Sequence, residues 1–265
     1  MLDTVGYTIA GGMLSVLATA RVEQIAWKFL RIAAIIPFAL GAGCTAWLCR
    51  TGGPSPWLVR MSVALIAFAA ALVFVAPLGQ VRIRLFRAIS AAGGAIGIAA
   101  ACLCAVIAIS ADPAAQLSML GTTLVIFGQI LAAWVLGSIT LAWLLGHAYL
   151  TATSMTIAPL KHFSQMLTWS VVARALFVGV SLVAAYATID GAPSVLAQIE
   201  RAWLIAVLRF GVGLVAVGIF AYMVLDCVKL RATQSATGIL YFGSVMAYVG
   251  ELASQQLARE VGWPF

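Results

Sequence analysis

Eight apolar runs, each close to the length that crosses a bilayer as a helix, follow one another along this chain with short polar or Pro/Gly breaks between them. They lie near residues 4–20, 29–49, 58–79, 88–110, 118–149, 160–188, 202–227 and 235–258. The hydrocarbon core of a membrane takes about 20 apolar residues as an α-helix, and within it every backbone N–H and C=O must be paired inside the protein. The pattern predicts an all-α polytopic transmembrane bundle of about eight spans, forming a single integral membrane domain over 1–265. Composition agrees, with 64% of residues hydrophobic and 9% charged. Soluble domains carry about 25% charged residues, so ordinary soluble, disordered and fibrous chains are excluded. The first run is the weakest, being short and interrupted by Gly11 and Gly12, and the fifth is long enough to require tilt or protrusion.

Loop charges set the expected orientation. Arg21, Lys28, Arg31, Arg82, Arg84, Arg87, Lys161, Lys229 and Arg231 gather on one side, whereas Arg50, Arg60, Arg201 and Arg259 fall on the other. Because cytoplasmic loops carry the Lys/Arg excess, nine against four places both termini on the outer side, in a bacterial inner membrane. The formal charge of +7 is scattered over these short loops, which excludes a nucleic-acid surface. The outer connections Arg50–Pro56, Asp112–Pro113 and Asp190–Pro193 read as short turns that leave no extramembrane domain for catalysis. Pro159 is placed to open the sixth helix, and a first segment that lacks a basic stretch and begins with Asp3 predicts no cleavable signal.

Catalytic and metal signatures are missing. Cys44, Cys49, Cys102, Cys104 and Cys227 lie in or beside apolar segments, and Cys102 and Cys104 point to different sides of a helix, so no metal is predicted. There is no HExxH, GxSxG, Walker loop or acidic cluster, and the chain holds no motif for independent catalysis.

Polar side chains divide the chain in two. Residues 1–110 read as mainly apolar scaffold helices, with Gly93, Gly94 and Gly97 offering a small-residue packing surface. Helices five to eight, over 118–258, carry Gln129, Thr140, His147, Gln165, Thr168, Ser170, Arg174, Arg209, Tyr241, Tyr248 and Glu251. In the last helix Gln234, Thr237, Tyr241, Ser244, Tyr248, Glu251 and Gln255 alternate spacings of three and four, which holds them on one face. That face is either a hydrogen-bonded packing seam or the wall of a ligand cavity.

Arg174 and Arg209 are too deep to act as orienting charges. An unpaired arginine at mid-membrane costs about 2.5–3.5 kcal/mol on insertion scales, so each requires a partner. Counting about 1.5 Å per residue along a helix brings Glu251 to the depth of Arg209. The expectation is an Arg209–Glu251 pair, with Arg174 below it facing the same carboxylate or an anionic or carbonyl-bearing ligand; Tyr241 and Tyr248 complete the candidate ligand-binding set. A second cluster falls at the inner side, where His147 ends the fifth helix, Lys161 and His162 open the sixth and Asp226 closes the seventh. His147, His162 and Asp226 are candidates for proton transfer or for contact with a quinone carbonyl, with an interfacial polar belt as the plain alternative. Haem ligation is not expected, because both histidines lie at helix ends.

Eight helices, few histidines, little loop mass and Gly250-Glu251-Leu252 in the last helix, followed by the basic Arg259, resemble the membrane-anchor subunits of DMSO reductase and the related NrfD-like proteins. In that family the anchor carries no haem of its own, binds a menaquinol and passes electrons to an iron–sulfur subunit. The resemblance implies a quinone as cofactor, with membrane lipids and other membrane or peripheral redox subunits as partners. Three functions stay open: a redox or energy-converting subunit binding a quinone or other amphipathic ligand with proton exchange at the inner side, a permease for a small anionic or lipidic solute, and a structural or assembly subunit.

Overall fold

In lipid an apolar run folds as an α-helix because that conformation pairs its backbone within the segment. The computed structural model describes residues 2–51, 55–78, 82–110, 118–151, 156–188 and 192–265, and these form helices with no strand. In chain order they are α1 (Leu2–Thr19), α2 (Trp27–Thr51), α3 (Pro56–Val75), α4 (Ile83–Ser110), α5 (Met119–Thr151), α6 (Ala158–Thr188), α7 (Ala192–Arg201), α8 (Trp203–Ala206), a π-helix (Val207–Ala216), α9 (Val217–Lys229) and α10 (Thr233–Val261). The expected turns at 52–54, 112–113 and 190–191 fall outside the described residues. Local signals set several ends: the Ser55 side chain accepts from the Leu58 N–H ahead of α3, with Pro56 inside its first turn, and Pro159 follows the first residue of α6.

Seven of these traversals are long and apolar enough to cross a membrane: α2, α3, α4, α5, α6, the run from α8 through α9, and α10. The chain is an integral, multi-pass membrane protein. Large apolar side chains point away from the bundle, with Phe74 79%, Leu176 68% and Val183 70% exposed. Such a surface is costly in water and comfortable against lipid tails.

The eighth helix, α1, is the run whose glycines make it the least convincing span, and those glycines explain where it lies. A Cβ on Gly11 would sit 2.5 Å from the Ile98 nitrogen of α4, and one on Gly12 would collide with the Ala133 backbone of α5. Gly94 and Gly97 of α4 and Gly137 of α5 meet α1 in the same way. Small residues here let three backbones approach closely, as at membrane helix interfaces generally. α1 therefore runs through the interior, antiparallel to α4 and parallel to α5, with Tyr7, Met13, Leu14 and Leu17 fully buried. It also joins the two polarity halves: Thr8 Oγ1 lies 3.2 Å from Gln129 Oε1, and Tyr7 Oη lies 2.6 Å from Ser62 Oγ of α3. Asp3 and Arg259 line one cavity of about 220 Å³, so the beginning of α1 and the end of α10 share one end of the bundle.

The seventh traversal departs from a plain α-helix. Ten residues, Val207–Ala216, adopt π-helical geometry before α-helix resumes. Runs of this kind are rare and concentrate at functional sites. α10 then ends at Gly262, whose left-handed backbone (φ 68°) needs a residue without Cβ. Beyond it the chain folds back, burying Trp263 and Phe265.

Candidate functional site

Near the middle of α6, Arg174 points into the bundle, where 5% of it is exposed. Room for its guanidinium comes from α5: a Cβ on Gly128 would lie 3.1 Å from Nη1, and the Gly128 carbonyl accepts a hydrogen bond from that same nitrogen. Nη2 faces α10, 3.5 Å from Glu251 Oε2 and 3.4 Å from Ser254 Oγ. The other carboxylate oxygen of Glu251 accepts from Gln255 Nε2 at 2.8 Å. Phe177, one turn along α6, places its ring centroid 5.4 Å from the guanidinium carbon, a cation–π contact that gains from the low local polarity.

Arg209 enters from the π-helix and is 2% exposed. Glu251 is held by Arg174, and this corrects the expected Arg209–Glu251 pair. Arg209 shares the enclosure with both groups, yet its Nε and Nη2 have no hydrogen-bond partner among the described residues. The correction has a geometric cause. Depth counted at an α-helical rise brings Glu251 level with Arg209 and above Arg174, but depth does not say which way a side chain points, least of all on a π-helix with its wider turn. Packing supplies the rest: Gly213 and Gly250 touch backbone to backbone, which brings the π-helix against α10 one residue before Glu251.

The centre therefore holds two guanidinium groups against one carboxylate. Two small cavities adjoin it. One, of about 10 Å³, is lined by Arg174, Arg209, Gly213, Leu214 and Glu251 among others. The second, of about 20 Å³, lies between Arg174, Gln129, Gln255, Pro264 and Phe265. Each is of the order of a single water molecule. The folded-back end closes this side: Ser254 Oγ donates to the Phe265 backbone oxygen at 2.7 Å, and Trp263 Nε1 donates to the Ser181 carbonyl at 3.1 Å. Phe265 also meets the Phe210 ring edge-on at 6.3 Å.

The two tyrosines expected beside the arginines lie elsewhere. Tyr248 Oη is 2.9 Å from Thr140 Oγ1 and accepts from Trp143 Nε1 at 3.4 Å, binding α10 to α5. Tyr241, 40% exposed, places its hydroxyl 3.0 Å from His147 Nδ1 and its ring 5.3 Å from that of Trp143. Thr237 lies against Gly146, where a Cβ would come within 2.7 Å of its hydroxyl. The regular polar face of α10 is thus a packing seam against α5 over most of its length, and only Glu251, Ser254 and Gln255 reach the charged centre. The face did not include Ser254, although its position three residues after Glu251 is the signal that could have found it.

The inner polar residues are not brought together either. His147 pairs with Tyr241, His162 Nε2 lies 3.2 Å from Thr19 Oγ1, and Asp226 takes Lys229 at 2.8 Å. Among the described residues no group of three or more His, Cys, Asp or Glu side chains could hold a metal ion. Comparisons with protein-family models, with curated proteins and with solved structures find no match to this chain.

Proposed function

We propose that this membrane protein is a carrier for a small anionic solute, whose charge is received between Arg174 and Arg209. The observation that carries this reading is Arg209: buried, with two guanidinium nitrogens unpartnered among the described residues, next to a carboxylate already committed to Arg174. A cation at this depth is retained against its desolvation cost only when something answers its charge, and an anion between the two arginines would do so. π-Helical segments recur at functional sites, and Arg209 sits on one, beside the Gly213–Gly250 contact. The water-sized cavities describe a closed centre that must open to load. The nine-to-four charge bias supports a bacterial inner membrane with both termini outside.

The test is uptake by liposomes containing the purified chain, offered labelled phosphate, sulfate and short carboxylates in turn. Saturable uptake of at least one anion, lost in Arg209→Gln and kept in Lys28→Gln, is the expected result. Absence of saturable uptake for every anion by a folded, reconstituted protein overturns the carrier reading.

A second reading, a quinone-binding subunit of a redox or energy-converting assembly, is favoured by a different observation. The Tyr241–His147 hydrogen bond lies at the bundle surface beside Trp143, where it can meet the carbonyl of a lipid-soluble ring. Purification in mild detergent with mass spectrometry of bound quinones and co-purifying iron–sulfur subunits tests it; neither quinone nor redox partner would be found if it is wrong.

A further inference from the structure

A cavity of about 290 Å³ opens at the other end of the bundle, between the α1–α2 connection and the start of α6. Its wall presents Arg21, Gln24, Lys161 and Gln165 as donors, with His162 beside them and no carboxylate among the described residues that line it. The acid closest in sequence, Glu23, is turned toward Arg87 at 3.9 Å, and Arg87 anchors the same connection by donating to the Ala20 carbonyl at 3.0 Å. Arg21 and Lys161 consequently make no ion pair among the described residues.

His162 is held in place by a hydrogen bond whose direction can be worked out. Thr19 Oγ1 donates its single proton to the Val16 carbonyl at 2.7 Å, so toward His162 Nε2, 3.2 Å away, it can only accept. Nε2 therefore spends its hydrogen on Thr19, which holds the ring beside the cavity without offering that hydrogen to it. The first turn of α6, a helix of 31 residues, brings the positive end of its dipole to the same wall, although Pro159 has no N–H and that of Lys161 already donates to the Ile157 carbonyl at 3.1 Å. Two exposed cations and two amides, with the His162 ring and the start of α6 beside them, surround one space with no carboxylate among the described residues that line it.

We infer that this cavity binds a phosphate group, separately from the arginine centre. Two sources share that chemistry, the headgroup of an anionic lipid and free phosphate, and basic pockets between membrane helices commonly take the former.

Two measurements on the full chain in detergent distinguish them: native mass spectrometry with phosphatidylglycerol against phosphatidylcholine, and calorimetric titration with inorganic phosphate. Retention of phosphatidylglycerol alone assigns the headgroup, and saturable phosphate binding assigns the free ion. Either should weaken by about tenfold or more in Arg21→Ala/Lys161→Ala. Lys28→Ala/Arg31→Ala, which removes the same charge outside the cavity, should leave binding unchanged. If neither ligand binds, or if the control pair weakens binding as much, the inference is wrong. Should the first pair fail to fold, Lys161→Gln and His162→Ala carry the same comparison singly.

Discussion

Gly213 of the π-helix and Gly250 of α10 meet backbone to backbone, and this contact sets Arg209 beside Glu251. A methyl group on either glycine would have to displace main chain, not a flexible side chain.

Gly213→Ala and Gly250→Ala should therefore each destabilise the protein by about 1–3 kcal/mol, the range for overpacking a tight interface. Gly179 and Gly238 are the controls, since nothing lies within 4 Å of an added Cβ at either. Alanine there should hold or raise the melting temperature, because helix propensity improves without a clash. Thermal unfolding in detergent compares the four variants.

The charge count at the centre ranks three substitutions. Glu251→Gln removes the single carboxylate from two arginines and should be the most damaging, at the level of about 3–5 kcal/mol for a broken buried pair. Arg174→Gln leaves Arg209 facing Glu251 one to one and should cost less. Arg209→Gln removes a charge that makes no ion pair among the described residues and should cost least or stabilise. Measured stabilities in any other order would contradict this description of the site.

A bound anion should raise stability through mass action, by about 2.7 kcal/mol at a hundred times its dissociation constant. Wild type should gain melting temperature with the transported anion, and Arg209→Gln should gain none. A thermal-shift titration with the anion identified by uptake reads this directly.

The folded-back end should act as a stopper. Trp263→Ala removes a buried indole and its hydrogen bond to Ser181, and an aromatic truncation of this kind costs about 3–5 kcal/mol. Hydrogen exchange over Ser254–Val261 should speed up in this variant while that of α3 stays as it was. Equal protection in both proteins would show that the end merely lies against the bundle.

Much of the fold was legible in local pattern. Seven traversals are readable as apolar runs, and the buried status of Arg174, Arg209 and Glu251 follows from their distance to the nearest loop. The role of α1 was not legible: Gly11 and Gly12 lower its apparent fitness as a span, and their use appears only with Gly97 and Ala133 beside them. Tyr241 and Tyr248 share a helical face with Glu251, yet face position says nothing of which neighbour covers each level of that face.

What the sequence by itself determined is membrane residence, an all-α bundle and the short list of charges whose burial requires a reason; it counted eight spans, where seven helices are long and apolar enough to cross. These depend on hydropathy and depth, which are properties of one segment at a time. Which arginine holds Glu251 was decided only in the tertiary structure. That choice rests on packing between segments far apart in the chain: Gly128 of α5 makes room for the Arg174 guanidinium, and Gly213 meets Gly250 beside Glu251.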